Sequence, residues 1–246
     1  MPETSFDVAI LGGGPGGYVA AIRAAQLGMS TLLVEKEVQP GGTCLHRGCI
    51  PTKALLETAS RLEQARQAED FGVMLSGPPA LDLGRVHQRK KTLVRRLAMG
   101  IEGLLKKNRV TFLTGHASLD GPGRVQVEGQ VYQARHVILA TGSAVAVPPV
   151  FPVDGVRVLT SDHMLEYPEI PPRLVVVGAG AVGMEFASIY SLFGSQVTVL
   201  EMLPRVLPLE DEDVSAEVER LFRKRGVTFH TGCAVEKVEV GEDSVR

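Results

Sequence analysis

One segment of the sequence occurs twice, at an offset of 166 residues. Residues 8–17 (VAILGGGPGG), followed by Glu35, align with residues 175–183 (VVVGAGAVG), followed by Glu201. Each copy runs from an apolar strand through a glycine turn and a small-residue helix to a second apolar strand that ends in an acid. The repeat predicts two β-α-β units with parallel strands. The matching glycines are Gly12, Gly14, Gly17 and Gly28 in the first copy, and Gly178, Gly180, Gly183 and Gly194 in the second.

Each part of this order has a use in binding a dinucleotide. The first glycine allows a tight turn, the second lets the backbone approach a pyrophosphate, and the third lets the helix pack closely on the strand. Free N–H groups at the helix start then attract the phosphates. The acid, 23 residues after the first glycine, accepts hydrogen bonds from a ribose. Two dinucleotide sites are therefore predicted, the alternative being two ordinary glycine turns in an α/β protein.

Composition excludes several functional classes. Of the 246 residues 44% are hydrophobic, which is enough to bury parallel sheets. A net charge of −2 and a pI near 6.3 favour neither nucleic acid nor an anionic membrane as partner. The sequence has no apolar run near the roughly 20 residues of a membrane span, and its first residues do not resemble a leader peptide. A soluble cytoplasmic location is expected.

The cysteines indicate redox chemistry. There are three, Cys44, Cys49 and Cys233, too few for the disulfide scaffold of a secreted domain. The close pair Cys44 and Cys49 fits either metal binding or redox exchange, but a metal needs more ligands nearby than His46 can supply. We therefore expect a redox pair and no metal site. The alternative is two buried, reduced cysteines that act as small hydrophobic residues, and Cys233 is expected to be an inert thiol.

The five-residue spacing of this pair restricts the local backbone. In an ideal helix residues five apart are about 7.5 Å apart along the axis, beyond the usual Cα separation of a disulfide, roughly 4.4–6.8 Å. A bridge thus requires irregular backbone, which Gly48 and the glycines at 41 and 42 permit. Pro51 predicts that regular helix begins near residue 50. Cys49 would then lie at a helix N-terminus, where positive potential favours a thiolate, with Lys53 one turn further on.

The chain between the two repeats changes character. Residues 82–107 have apolar residues at helical spacing and predict a helix whose basic residues form a solvated face, rather than a nucleic-acid patch. Short strands are predicted in 109–119 and 124–139, with a turn at 121–123, and a proline-rich linker before the second repeat. We place the domain junction near residue 150. The apolar positions of the helix are Val86, Leu93, Val94, Leu97, Ile101, Leu104 and Leu105.

Residues 41–56 (GGTCLHRGCIPTKALL) resemble the active-site segment of the class I pyridine nucleotide–disulfide oxidoreductases, and most closely that of the dihydrolipoyl dehydrogenases. Residues 138–143 (ILATGS) and 178–201 also match, so that the resemblance covers essentially the whole chain. It implies an α/β fold with two Rossmann-like domains with parallel central sheets and a small antiparallel excursion. Residues 1–150 would be the FAD domain and 151–246 the NAD domain, both incomplete.

The resemblance also assigns roles to individual residues. Cys49 resembles the thiol next to the flavin and Cys44 the interchange thiol that meets the substrate. Lys53 and Glu185 resemble a pair near flavin N5; alternatively they are a surface cation and a helix-start acid. The implied FAD-binding residues are Gly12, Gly14, Gly17, Glu35, Gly42, Thr43, Lys53, Gly115, His116, Thr141, Gly142 and Ser143.

For NAD the implied residues are Gly178, Gly180, Val182, Gly183, Glu185, Glu201 and Val235. Glu201 would bind the ribose and repel a 2′-phosphate. Arg205 leaves NADP open, although a solvent-facing arginine is the simpler interpretation. Val235 either lines the adenine pocket or is a strand core position.

The implied activity is FAD-dependent oxidation of protein-bound dihydrolipoyl groups to the lipoyl disulfide, with NAD⁺ as acceptor. The implied partner is the lipoyl-bearing acyltransferase of a 2-oxo acid dehydrogenase complex or of the glycine cleavage system, and the family is homodimeric. The histidine-bearing dimerisation domain of the family has no counterpart in the sequence, so we expect the chain alone to lack normal turnover. The alternatives are a glutathione- or mercuric-reductase-like enzyme, or a noncatalytic cofactor-binding module.

Overall fold

The computed structural model describes residues 4–246, and its contacts divide the chain into two compact units. Unit 1 comprises the residues up to Pro51 together with Lys91–Ala144. Unit 2 comprises Thr52–Lys90 together with Val145–Arg246. The predicted domain junction near residue 150 stays a prediction.

The strands of the described chain form two sheets. In unit 1 the order is β3-β2-β1-β6-β5-β4, parallel from β3 to β6 and antiparallel through β5 and β4. In unit 2 the order is β7-β8-β9, all parallel. The strands are β1 (Ser5–Leu11), β2 (Thr31–Glu35), β3 (Thr111–Thr114), β4 (Ala117–Leu119), β5 (Arg124–Val127), β6 (Gln130–Leu139), β7 (Arg173–Val177), β8 (Gln196–Glu201) and β9 (Thr228–Thr231).

Helices connect these strands, and one short 3₁₀ helix covers Ala68–Phe71. Among residues 4–246 no helix is long and apolar enough to cross a membrane. The helices are α1 (Pro15–Gln26), α2 (Gly42–Arg47), α3 (Cys49–Arg66), α4 (Leu83–Lys107), α5 (Ser161–Met164), α6 (Ala181–Phe193) and α7 (Glu212–Lys224).

In unit 1 the neighbouring strands β1 and β2 bury both faces. Alternate residues of a strand point to opposite faces, so Val8 and Ile10 pack with residues of α1, whereas Ala9 and Leu11 pack with Val125 and other residues of the antiparallel excursion. This explains why the strands read as continuous apolar runs rather than as alternating ones. The predicted α/β fold with Rossmann-like units and an antiparallel excursion is confirmed.

In unit 2 the core lies around α6. Its residues Met184, Ala187 and Ile189 are buried and pack with Val199 of β8 and Phe229 of β9. Tyr190 belongs to the same core and donates its hydroxyl to the carbonyl of Met164 over 3.0 Å. Burial, aided by the neighbouring Tyr167, raises the pKa of Tyr190 to about 12.

The helix predicted in 82–107 is confirmed as α4, but its buried side differs from the prediction. Leu97 and Leu104 are exposed, whereas Ala98 is buried. Lys90, expected on the solvated basic face, is 1% exposed. Its Nζ donates to the carbonyl of Leu165 and, over 2.7 Å, to Oε1 of Glu166, so that hydrogen bonds compensate the buried charge.

The turn at 121–123 is confirmed between β4 and β5, and residues 140–160 contain neither helix nor strand, as expected of a linker. Near the end of the chain Val240 and Val245 form an isolated antiparallel bridge. Val235 is half-buried outside any strand, so its interpretation as a strand core position is wrong.

Replacing Tyr190 with Phe is expected to destabilise the protein by about 1–2 kcal/mol, because the buried Met164 carbonyl loses a hydrogen-bond donor. Urea unfolding followed by circular dichroism measures this loss. Tyr18→Phe is the control, since Tyr18 is only partly buried. Equal stability of Tyr190→Phe and the wild type would contradict the importance of this bond.

Asp154 organises the linker, and its role predicts a pH dependence. Its Oδ1 accepts from the amides of Val156, Arg157 and Val158 at 2.8–2.9 Å. These bonds lower the pKa of Asp154 to about 2. Because the folded pKa lies below the ordinary value, the carboxylate stabilises the protein above about pH 4, and this contribution is lost as the pH falls towards 2.

The stability difference between wild type and Asp154→Asn should therefore be constant above about pH 4 and shrink below it. Urea unfolding at a series of pH values measures the difference. A difference that stays constant down to pH 2 would show that the charge of Asp154 does not act through these amides.

Candidate dinucleotide and dithiol sites

The first glycine turn begins where β1 ends. Gly12 has φ +106°, a conformation that favours glycine, and its amide donates to the carbonyl of Val34 over 2.8 Å. A Cβ on Gly17 would lie 1.7 Å from the Gly12 carbonyl oxygen, so only glycine lets α1 approach the turn this closely. The glycine spacing predicts that a pyrophosphate approaches the protein at this turn and helix start.

Glu35 completes this turn. It ends β2 and is 8% exposed. Its Oε2 accepts from the amide of Gly13 over 2.6 Å, and its Oε1 accepts from the amide of Glu37 over 3.1 Å. Sequence reasoning assigned the carboxylate only to a ribose and missed these bonds. The acid also holds the glycine turn in place.

The second copy repeats these contacts in unit 2. Gly178 has φ +99° and donates its amide to Leu200 O over 2.8 Å. The buried Glu201 accepts at Oε2 from the amide of Ala179 over 2.7 Å and at Oε1 from that of Leu203 over 2.8 Å. A Cβ on Gly183 would lie 2.0 Å from the Gly178 carbonyl oxygen, as at the first turn.

The ends of both helices are compatible with phosphate. α1 and α6 carry no acidic residue in their first turns, and Gly14 and Gly180 cap them in extended backbone without a side-chain cap. The positive end of each helix dipole is therefore not compensated by a carboxylate of its own first turn. Val182, in the first turn of α6, is exposed.

The glycines at 41 and 42 join the first turn to the cysteine segment within unit 1. The amide of Gly41 donates to Gly13 O over 2.8 Å. A Cβ on Gly42 would lie 2.6 Å from Gly14 Cα, so a side chain there would separate the two segments. Thr43 and Cys44 follow directly in α2, and the cysteine segment is thereby tied to the predicted FAD turn.

The backbone between the two cysteines is broken, as their spacing predicted. α2 ends at Arg47, and Gly48 has φ −143° and ψ −116° before α3 begins at Cys49. A Cβ on Gly48 would lie 2.9 Å from Thr43 O. Cys49 is exposed at the helix start, and Cys44 is half-buried in α2. Helix α2 itself was not predicted.

Lys53 and Glu185, 132 residues apart, form an ion pair within unit 2. Lys53 Nζ lies 2.6 Å from Glu185 Oε1. The side chains are 59% and 29% exposed, so that the pair faces solvent and contributes little stability by itself. At the sequence level only the family resemblance paired these two residues, and the structure shows them in contact.

The remaining predicted FAD residues lie at the carboxyl ends of the parallel strands of unit 1, where ligands bind in open α/β sheets. Gly115 follows β3 and donates its amide to Glu35 O over 2.8 Å, and the amide of His116 donates to Glu128 Oε1 over 2.8 Å. The turn of Thr141, Gly142 and Ser143 follows β6, and a Cβ on Gly12 would lie 3.1 Å from Thr141 Cα.

A family model described as pyridine nucleotide-disulphide oxidoreductase matches residues 6–246. The chain belongs to this family. Dihydrolipoyl dehydrogenase of Bacillus subtilis (strain 168) is 46% identical over 245 residues, which cover 94% of this chain and 51% of that protein. That of Zymomonas mobilis is 42% identical, with 98% and 52% covered. The chain thus spans about half the length of these curated relatives.

A solved structure agrees with this family membership. The HOCl-induced flavoprotein disulfide reductase from Escherichia coli superimposes with a TM-score of 0.83 at 28% identity, over 97% of this chain and 52% of that one. The predicted family is confirmed, and with it an oxidoreductase fold of the flavoprotein disulfide reductase type. The free N–H groups at each helix start fit the phosphates of a dinucleotide.

Two neighbouring glycines of α1 should differ in their tolerance of alanine. Gly17→Ala forces a Cβ into the Gly12 carbonyl and is expected to cost about 1–3 kcal/mol of stability. Gly16→Ala meets only Ala140 Cβ at 3.9 Å, so the better helix propensity of Ala should leave the stability unchanged or raise it by up to about 1 kcal/mol.

Thermal and urea unfolding of both variants, together with the flavin content after purification, checks this. Equal effects of the two substitutions would contradict the close helix–turn approach.

Proposed function

We propose that this chain carries the cofactor sites and the dithiol of a dihydrolipoyl dehydrogenase. The reaction is the FAD-dependent oxidation of protein-bound dihydrolipoyl groups to the lipoyl disulfide, with NAD⁺ as acceptor. The observation that carries the proposal is the helix break at Gly48, which separates Cys44 from Cys49 in a segment tied by Gly41 to the first glycine turn. An uninterrupted helix would keep the two residues too far apart for a disulfide.

The two cysteines carry the sulfur chemistry of the proposal. In the oxidised protein they form a disulfide, and a substrate thiolate attacks Cys44 Sγ. A mixed disulfide forms, and Cys49 leaves with the electron pair of the broken S–S bond as a thiolate. The second substrate thiol, deprotonated, attacks the substrate sulfur of the mixed disulfide and releases Cys44. The lipoyl disulfide is then closed, and the cysteine pair has gained the two electrons.

The cofactor residues follow the two glycine turns. Gly12, Gly14 and Gly17 would hold the FAD pyrophosphate and Glu35 its ribose, while Gly178, Gly180, Gly183 and Glu201 would hold NAD. Bound FAD supplies the two-electron relay between the dithiol and the nicotinamide. Lys53, four residues beyond Cys49, forms an ion pair with Glu185 of α6. The family resemblance implies that this pair lies near flavin N5.

The partner in this proposal is a lipoyl-bearing acyltransferase of a 2-oxo acid dehydrogenase complex or of the glycine cleavage system, and the location is the cytoplasm. The names of the curated relatives support the substrate class. The family membership supports FAD. The carboxylate of Glu201 would repel a 2′-phosphate, and this supports NAD over NADP.

A second candidate is another disulfide or metal-ion reductase of the same family. The structural likeness to the flavoprotein disulfide reductase of E. coli favours it, because that likeness covers 97% of this chain. Rates of NADH and NADPH oxidation with lipoamide, glutathione disulfide or mercuric ion as the electron acceptor distinguish the two candidates.

The decisive variant is Cys49→Ser. In FAD-loaded wild type, two-electron reduction is expected to give an absorbance band on the long-wavelength edge of the flavin spectrum, because the resemblance places Cys49 against the flavin. Cys49→Ser should lose this band while it keeps the flavin. Spectrophotometric titration with dihydrolipoamide measures both.

Cys233→Ser is the matched control, since Cys233 is an exposed thiol after β9 in unit 2 and should leave the band intact. A band that persists in Cys49→Ser, or a protein that takes up no flavin, would contradict the proposed function.

A further inference from the structure

The loop between β8 and α7 contains two residues with opposite implications for the nucleotide. Glu201 ends β8, and an acid at this point of a dinucleotide fold binds a free ribose 2′-OH. Arg205, four residues on, is the only lysine or arginine between Gln196 and Glu219. An arginine close to the ribose instead accommodates a 2′-phosphate. The sequence alone leaves the preference of the site open on this point.

The structure shows how Arg205 is engaged. Its Nη1 donates to Oε1 of Glu212, the first residue of α7, over 2.6 Å. Its Nη2 donates to the carbonyls of Pro208 and Glu210, each at 3.3 Å. Its Nε is buried without a hydrogen-bond partner among residues 4–246. The two Nη atoms of the guanidinium thus bind the loop and the first residue of α7, and Nε lacks an acceptor among the described residues.

This loop borders the second glycine turn. The amide of Leu207 donates to Ala179 O over 2.8 Å, while the amide of Ala179 donates to Glu201 Oε2 over 2.7 Å. Ser215 Oγ donates to Leu207 O over 3.2 Å and fastens the other side of the loop to α7. The residue that would bind the ribose and the loop that carries Arg205 are therefore joined through one residue, Ala179.

We propose that Glu212 determines the dinucleotide preference of the second site by binding Arg205. Paired with Glu212, the guanidinium is neutralised and directed into the loop, and the site takes an adenine dinucleotide without a 2′-phosphate. Released from Glu212, the same guanidinium binds a 2′-phosphate, for which its planar fork of donors is suited. This inference rests on the proposed NAD function and makes Glu212 a positioning residue that acts through Arg205.

The test is a double-mutant cycle on the purified protein, with wild type, Glu212→Gln, Arg205→Met and the double variant. Isothermal titration with 5′-AMP and with adenosine 2′,5′-bisphosphate gives the ratio of the two dissociation constants. Glu212→Gln should shift this ratio in favour of the 2′-phosphate by about two- to fivefold, as expected for an ion pair whose carboxylate is largely exposed. Arg205→Met and the double variant should keep the wild-type ratio.

Glu217→Gln is the matched control, because Glu217 also forms an ion pair within α7, with Arg220 at 2.6 Å. It removes the same charge from the same helix and should leave the ratio unchanged. A gain that persists in the double variant would show a general electrostatic effect and overturn the proposal.

An unchanged ratio in Glu212→Gln, with 5′-AMP binding retained, would overturn the proposal while the NAD function stands. If the wild type binds neither ligand, the proposed NAD site fails and the inference fails with it.

Discussion

A buried carboxylate at the end of the second strand of each unit holds the glycine turn against the sheet. Glu35 accepts the amide of Gly13, and Glu201 accepts that of Ala179. Burying a carboxylate is costly unless hydrogen bonds satisfy it, and each acid meets this requirement with two backbone amides. Because the turn has no regular secondary structure of its own, its geometry depends on this bond and on the close approach of the helix through Gly17 or Gly183.

The chemistry of the cysteine segment depends on the same turn. The amide of Gly41 donates to Gly13 O, and Gly42 lies so close to Gly14 Cα that position 42 has no room for a side chain. The dithiol segment is thus fixed to the predicted phosphate turn by backbone contacts, while the helix break at Gly48 frees the geometry between the two sulfur atoms. The proposed exchange between thiols five residues apart needs this discontinuity, because an uninterrupted helix would hold the two residues too far apart for a disulfide.

Much of the fold and of the candidate site follows from the sequence, because its determinants are local or repeated. Glycine spacing, apolar runs and the position of Pro51 each act within a few residues, and the repeat checks one unit against the other. The burial of Lys90 could not be predicted, since its partners at Leu165 and Glu166 are 75 and 76 residues away. The capping role of Glu35 and Glu201 was hidden because a ribose and a backbone amide select the same residue type.

The short chain distance between each buried acid and the amide it accepts, 22 residues in both units, has a consequence for modularity. Closing a loop of this length costs little more entropy than closing a shorter one, and the acid, the amide it accepts and the close glycine–helix contact lie inside one strand–helix–strand stretch. Such a stretch contains the hydrogen bond that holds its own turn. Duplication of such a stretch would therefore supply a second glycine turn with its acid in one step. Later changes in the surrounding residues would then be enough to alter the ligand.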